Sequence, residues 1–297
     1  MAAGCGWFFA ALATVAGGQQ TFRSGVDLVT FGVTVVDRKG ELVSDLTRDD
    51  FEVVEDGRAQ ALRYFAMGDG GAAPPLHLGL LLDASGSMVS DLKLAQGAAI
   101  KFLNLLPEAR DITLVDFDTQ VRITRYPQRD FPRLVERIRQ RKPDGWTALY
   151  DALGTYLDGA DQEDGRRILV MYTDGADSRS VLRLDETLTL LKASPVTVYA
   201  IGLVQNTGSY RAQLQMTMMQ LVEATGGQAF FPSSMTEVEG AYDKVLAQIK
   251  GQYHLGYLSG NAATDGAWRK VEIKVKRPGA RVRARKGYFA PYKTSQK

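Results

Sequence analysis

The stretch Leu76-His77-Leu78-Gly79-Leu80-Leu81-Leu82-Asp83-Ala84-Ser85-Gly86-Ser87 decides the reading of this chain. Its first seven residues are a nearly continuous apolar run, the pattern of a central parallel strand covered on both faces. The run stops at an aspartate followed by small and hydroxyl-bearing residues. Polar side chains packed just past the carboxyl end of a buried strand are where open parallel sheets place their ligand crevice.

Downstream of this strand the rhythm alternates between strand and helix. Leu92, Ala95, Ala99, Phe102 and Leu106 fall at helical spacing and form one stripe. Strands are expected at Ile112–Phe117 and Val121–Thr124, then a short helix over Phe131–Arg139. Ala148, Leu149, Ala152, Leu153, Tyr156 and Leu157 make a second helical face. Ile168–Tyr172 and Val196–Ile201 are again apolar strands. Helices over Leu182–Lys192, Tyr210–Ala224 and Thr236–Ile249 complete the set, the middle one stopped by Gly226-Gly227. Repeated strand–helix–strand units predict an α/β domain over 76–250 with a doubly wound, mainly parallel, Rossmann-like sheet.

Upstream lies a different pattern. Val29, Phe31, Val33 and Val35 alternate with Leu28, Thr30, Gly32 and Thr34, as in a strand with one covered face. Asp37–Gly40 reads as a turn, Phe51–Glu55 as a strand closed by the turn dipeptide Asp56-Gly57, and Ala61–Phe65 as a further strand. The β module 26–66 is followed by a linker, 67–75, rich in Gly, Ala and Pro. Strands return after the α/β domain, over 251–292, at Tyr253–Leu258, Val271–Val275 and Ala280–Ala284. Neither flank has enough strands for its own core, so the two are expected to pair into one small all-β sandwich carrying the α/β domain as an insertion.

Composition narrows the function classes. The chain has 297 residues, 45% hydrophobic and 24% charged, with a net charge of +2, so nothing global draws it to nucleic acid or anionic membranes. From Lys270 to Lys286, eight basic residues stand against Glu272 alone. That is either a solvated strand face or a contact for an anionic cell-surface polymer. Cys5 is the single cysteine, which excludes a disulfide framework and a cysteine zinc site. The apolar run Trp7–Ala16, ending in Ala16-Gly17-Gly18, resembles the core and cleavage end of a secretory signal peptide, although no Lys or Arg precedes it. Residues 1–20 are therefore expected to be a signal peptide, and the protein secreted or in the cell envelope. No segment is apolar for long enough to span a bilayer.

Three short segments carry the chemistry: Asp83-Ala84-Ser85-Gly86-Ser87, Gly145-Trp146-Thr147 and Thr173-Asp174-Gly175. Each is expected at the end of a strand, with Thr147 opening a helix. Taken singly, each has an ordinary explanation as a turn or helix cap. Together their candidate ligands, Asp83, Ser85, Ser87, Thr147 and Asp174, offer two carboxylates and three hydroxyls, and no nitrogen or sulfur. That hard oxygen set suits Mg²⁺, Mn²⁺ or Ca²⁺ and argues against zinc or copper. Asp116 and Asp177 fall near the same strand ends but are read as structural or supporting. Catalysis is not expected. Ser85 lacks a Gly-x-Ser-x-Gly elbow, no phosphate-cradling Gly-x-x-x-x-Gly-Lys-Ser/Thr loop exists, and His77 and His254 stand away from these segments.

Asp83-x-Ser85-x-Ser87, then Thr147, then Asp174 resembles the metal-ion-dependent adhesion site of von Willebrand factor type A domains, as in the inserted domains of integrins. The resemblance covers about 60% of the chain. It implies that Ser85, Ser87 and Thr147 ligate a divalent cation directly, with Asp83 and Asp174 binding directly or through water. It also implies an unidentified protein partner whose Asp or Glu carboxylate completes the coordination, or else a structural role in which the metal only stabilises loops of an envelope assembly. The flanks, with Leu46-Thr47-x-x-Asp50-Phe51, Glu55-Asp56-Gly57 and Arg285-Lys286-Gly287-Tyr288, resemble secreted type A-domain proteins of acidobacteria.

Overall fold

The computed structural model describes residues 28–68, 73–160, 164–202 and 208–292. The expected signal segment lies outside them. The chain begins with β1 (Leu28–Val36), β2 (Phe51–Glu55), β3 (Arg58–Gln60) and β4 (Leu62–Met67). The α/β part runs β5 (Leu76–Asp83), α1 (Leu92–Leu103), β6 (Asp111–Phe117), β7 (Val121–Pro127), α2 (Phe131–Gln140) and α3 (Leu149–Ala160). It continues with β8 (Arg166–Thr173), α4 (Leu184–Ala193), β9 (Thr197–Gly202), α5 (Arg211–Glu223), β10 (Gln228–Phe230) and α6 (Met235–Gly251). Four strands follow: β11 (Tyr253–Leu258), β12 (Trp268–Val275), β13 (Arg281–Arg283) and β14 (Gly287–Phe289).

Six strands form one sheet in the order β10-β9-β8-β5-β6-β7, parallel throughout except for β7, which runs antiparallel to β6. All eight residues of β5 are buried, because helices cover both faces. Leu78, Leu80 and Leu82 join Ala95 and Phe102 of α1 and Val245 of α6. Leu81 turns the other way, to Leu149 and Leu153 of α3 and Leu221 of α5. Gly79 faces this second side, where a Cβ would stand 2.4 Å from the ring of Tyr156, so α3 seats its tyrosine directly on the strand backbone. The chain leaves β5 toward β6 on one side and later places β8 on the other. Strand order therefore reverses at β5, and the strand end at Asp83 is the place where open parallel sheets carry their ligand site.

The flanks build two further antiparallel sheets, β13-β1-β11-β4 and β14-β12-β2-β3, each mixing strands from before and after the α/β domain. In the first, β11 lies between β1 and β4, with Phe31 opposite Leu255 and Leu255 opposite Phe65. In the second, β12 pairs β2 with Ile273 opposite Val53. Phe31, Val33, Val35, Phe51, Val53, Leu255 and Val271 meet in one core. Within it the Tyr253 hydroxyl donates to the carbonyl of Val43 at 2.9 Å and accepts from the N–H of Leu46 at 3.0 Å. Glu55, 1% exposed, accepts from the hydroxyls of Tyr257 at 2.7 Å and Tyr288 at 2.9 Å. The Asp56-Gly57 turn has positive φ at both residues, 46° and 81°, as a tight hairpin between β2 and β3 requires.

The three-residue strands β3, β10 and β14 are not among the strands expected from sequence, whereas β13, equally short, falls within the expected Ala280–Ala284. The basic stretch is mixed in use. Arg277 pairs with Asp45 at 2.8 Å and Lys276 donates to the Asp49 carbonyl, both at the surface. Arg285 turns inward, its guanidinium 4.5 Å from the centre of the Phe31 ring.

Candidate metal centre

Asp83 is the last residue of β5 and is fully buried, flanked by β6 and β8. Its Oδ1 accepts from the N–H of Ser85 at 2.9 Å, and its Oδ2 accepts from the Thr173 hydroxyl at 2.6 Å. Thr173 in turn accepts from the N–H of Gly175 at 3.1 Å. Gly175 has φ +83°, a conformation that favours glycine, and turns the chain sharply beyond Asp174. Asp174, 7% exposed, accepts from the N–H of Ala176 at 2.9 Å. The Ser85 and Ser87 hydroxyls are 3.0 Å apart, with Ser85 buried and Ser87 exposed.

Thr147 departs from its expected setting. Its loop joins α2 to α3 and does not follow a strand, and α3 begins two residues later, at Leu149. Long-range hydrogen bonds hold it at the strand ends. The N–H of Gly86 donates to Gly145 at 3.0 Å and that of Asp144 to Ala84 at 2.8 Å. The Thr147 carbonyl accepts from the N–H groups of Ser178 and Arg179 at 2.9 and 3.0 Å. The three loops that carry Asp83, Thr147 and Asp174 are thus cross-linked through their backbones.

The charge balance at these strand ends is uneven. Asp116 at the end of β6 pairs with Arg137 at 2.9 Å and Arg141 at 3.1 Å. Asp118 pairs with Arg122 at 3.2 Å and with Arg141. Burial pushes Asp118 up, but the Gln120 N–H and these arginines outweigh it and hold the carboxyl below its ordinary range. Asp83 and Asp174 have no ion pair among the described residues. Burial raises Asp83 to about 6, against the hydrogen bonds from Thr173 and Ser85, with the charge of Asp174 adding to the rise.

The donor set fits a hard divalent cation. Metal–oxygen distances of about 2.0–2.1 Å put neighbouring oxygens of an octahedron roughly 2.9 Å apart, close to the Ser85–Ser87 separation. Among the described residues no group of three or more His, Cys, Asp or Glu is placed to hold a metal, so any cation here relies on hydroxyl ligands. Asp177 serves α3, accepting from the Tyr150 N–H at 3.1 Å and the Ser180 hydroxyl at 2.6 Å. In the sequence Thr173 stands only as the residue before Asp174, with no role of its own. The one signal for it is its place between a buried strand and Asp174-Gly175.

Residues 78–176 match the family model described as von Willebrand factor type A domain. The α/β domain has the type A fold. No curated protein matches the chain in sequence. The vWF domain of the type V pili tip protein Mfa5 from Porphyromonas gingivalis is similar in structure, with a TM-score of 0.51 at 11% identity over 60% of this chain and 95% of that one. The PilB minor pilin from Streptococcus sanguinis gives 0.50 at 13% identity over 61% of this chain, which spans 62% of PilB, under two thirds of its length. The pilus adhesin SpaC from Lactobacillus rhamnosus GG gives 0.50 at 10% identity, over 82% of this chain and 48% of SpaC. At these identities the likeness is one of fold.

Asp83, Ser85, Ser87, Thr147 and Asp174 all lie within the matched type A segment. Beside Thr147, Trp146 is 66% exposed, while its N–H is fixed by the Thr119 hydroxyl at 2.8 Å. Gly145 before it has φ +69°, and a Cβ there would stand 2.4 Å from the same hydroxyl. His77 sits at the far end of β5 against Asp111, at 2.9 Å, and His254 lies in β11. No helix among the described residues is long and apolar enough to cross a membrane.

Proposed function

We propose that this chain is an exported, non-enzymatic binding module that engages a carboxylate of a protein partner through a divalent cation, Mg²⁺ by preference. Asp83, Ser85, Ser87, Thr147 and Asp174 would hold the ion, the hydroxyls directly and the carboxylates directly or through water. One observation carries the reading. Two buried carboxylates at the type A rim lack a cationic partner among the described residues, while Asp116 and Asp118 beside them are each bound by arginine. A buried carboxylate without counter-charge is costly, and a bound cation offsets that cost. Mg²⁺, when bound with three neutral hydroxyls among its five protein ligands, would supply a Lewis acid with an open coordination position, to which an incoming carboxylate is a strong ligand.

The exposed Trp146 supports an interaction surface, as does the likeness of fold to pilus proteins. The leader-like run Trp7–Ala16 supports export to the envelope or beyond. A metal that merely ties loops together is the weaker reading. Backbone hydrogen bonds already join the Ser85, Thr147 and Asp174 loops without an ion.

The test is capture from envelope extract on the immobilised chain, with Mg²⁺ or with chelator, beside a Thr147→Ala variant. A protein retained with Mg²⁺ and lost both with chelator and with Thr147→Ala is expected. Retention indifferent to both would sink the proposal.

A further inference from the structure

A cavity of about 750 Å³ lies at the opposite end of β5 from Asp83, where the β module meets the base of the type A domain. The strand length puts roughly 23 Å between the two ends. One wall is the outer face of the β1–β11 pair. Phe31, Val33, Tyr253, Leu255 and Tyr257 point into the sandwich core. Strand alternation therefore turns Thr30, Gly32, Gln252 and His254 the other way, into the cavity lining. The facing wall comes from the starts of β8 and β9, with Gly165, Arg166, Arg167, Pro195 and Thr197. Leu28, Tyr64, Phe289 and Pro291 give the cavity an apolar rim.

Its polar groups are unbalanced. Arg166, Arg167 and Arg285 line it, against Asp164 alone among acidic residues. Arg166 donates to the carbonyls of Pro74 at 3.0 Å and Gly68 at 2.9 Å, which fastens the linker to β8. Arg285 donates to the Thr30 carbonyl at 2.9 Å and stacks on Phe31. Neither Arg167 nor Arg285 has an ion pair among the described residues. Two atoms of the lining, Nε of Arg167 and Nε2 of His254, are buried with no hydrogen-bond partner among the described residues. His254 is 6% exposed. Burial and the charge of Arg166 lower it to about 3, so it stands as a neutral ring. Burial lowers Arg285 to about 10, with the charge of Arg167 acting in the same direction. Unpaired cations, unsatisfied polar atoms and an apolar rim in a cavity of small-molecule size are the marks of a ligand site.

We propose that this interdomain cavity binds a small organic anion with an apolar body, its carboxylate or phosphate head held by Arg167, Arg285 and His254. The proposal does not depend on the metal centre. A guest here touches both modules at once.

The test uses the full chain with anilinonaphthalene sulfonate as the anionic probe and phenylnaphthylamine as its uncharged counterpart, read by fluorescence. Saturable one-to-one binding of the anion, displaced by dodecanoate, is expected. Affinity should fall at least about tenfold in Arg167→Met and in Arg285→Met, since each removes a charge-assisted contact. Arg167 makes no ion pair among the described residues, so its variant should keep the wild-type melting temperature even if Arg285→Met, which loses its stacking on Phe31, does not. Equal affinity for both probes overturns the proposal, as does unchanged binding in a folded Arg167→Met. Displacement by inorganic phosphate but not by dodecanoate overturns the apolar body.

Discussion

The Thr173 hydroxyl donates a 2.6 Å hydrogen bond to Oδ2 of Asp83, joining the ends of two adjacent parallel strands where both residues are fully buried. It orients one candidate ligand and stands next to the other, Asp174. Groups that orient metal ligands typically change affinity by about 10–100-fold when removed. Thr173→Val keeps the shape and deletes the donor. Calorimetry should show Mg²⁺ affinity falling by at least about tenfold in a protein that still folds. Unchanged affinity would remove Asp83 from the ligand set.

Asp83 also sets a pH dependence. Its folded pKa, about 6, lies above the ordinary value of 3.8. The stability it contributes is therefore complete below the ordinary value and lost as pH rises through about 6. The shift corresponds to roughly 3 kcal/mol. In chelator, the unfolding free energy of the wild type should fall relative to Asp83→Asn by roughly that amount between about pH 4 and pH 7. Saturating Mg²⁺ should restore it at the upper pH. A constant difference between the two proteins, measured by urea titration, would show that Asp83 ionises freely in the fold.

Metal binding by the isolated chain should be weak, saturating only at roughly millimolar Mg²⁺, because three of the five candidate ligands are neutral hydroxyls and one octahedral position is left open. Addition of the captured partner should tighten it. Tight binding that no partner alters would instead indicate a loop-stabilising ion.

Trp146→Ala separates recognition from coordination. The side chain is 66% exposed, so folding and Mg²⁺ affinity should hardly change. Partner binding should weaken by about 2 kcal/mol if the indole is a contact anchor, as exposed tryptophans at interfaces often are. Surface plasmon resonance in saturating Mg²⁺ reads the difference directly.

Glu55→Ala should destabilise the β module by about 3 kcal/mol, because it leaves the hydroxyls of Tyr257 and Tyr288 without their shared acceptor. Both flanks meet at this carboxylate, so loss of the cooperative thermal transition in that module is the expected signature. A melt identical to wild type would place the bond between the flanks elsewhere.

Local pattern carried much of this architecture. The apolar run Leu76–Leu82 marks a strand buried on both faces, and its halt at Asp83 marks the crevice end. The helical stripes and the alternation of β1 follow from side-chain period alone. Asp83, Ser85, Ser87, Thr147 and Asp174 could be picked out by residue type and order and assigned to one sheet edge by the strand-end rule, but the bonds that fix their loops could not be read.

Tertiary structure decided what period cannot express. A period says which face of a strand is covered, not by which partner, so β11 lying between β1 and β4 had to come from long-range pairing. The three-residue strands β3, β10 and β14 carry no pattern of their own and owe their place to the neighbour that supplies their hydrogen bonds. Thr147 reaches the strand ends by hydrogen bonds to residues about thirty positions away, not by its own place in the chain. Arg167 and His254 look like an ordinary strand arginine and a stray histidine until two modules close on them and leave Nε of one and Nε2 of the other buried with no partner among the described residues. Burial and charge balance belong to the packed molecule, because they depend on groups that only folding makes neighbours.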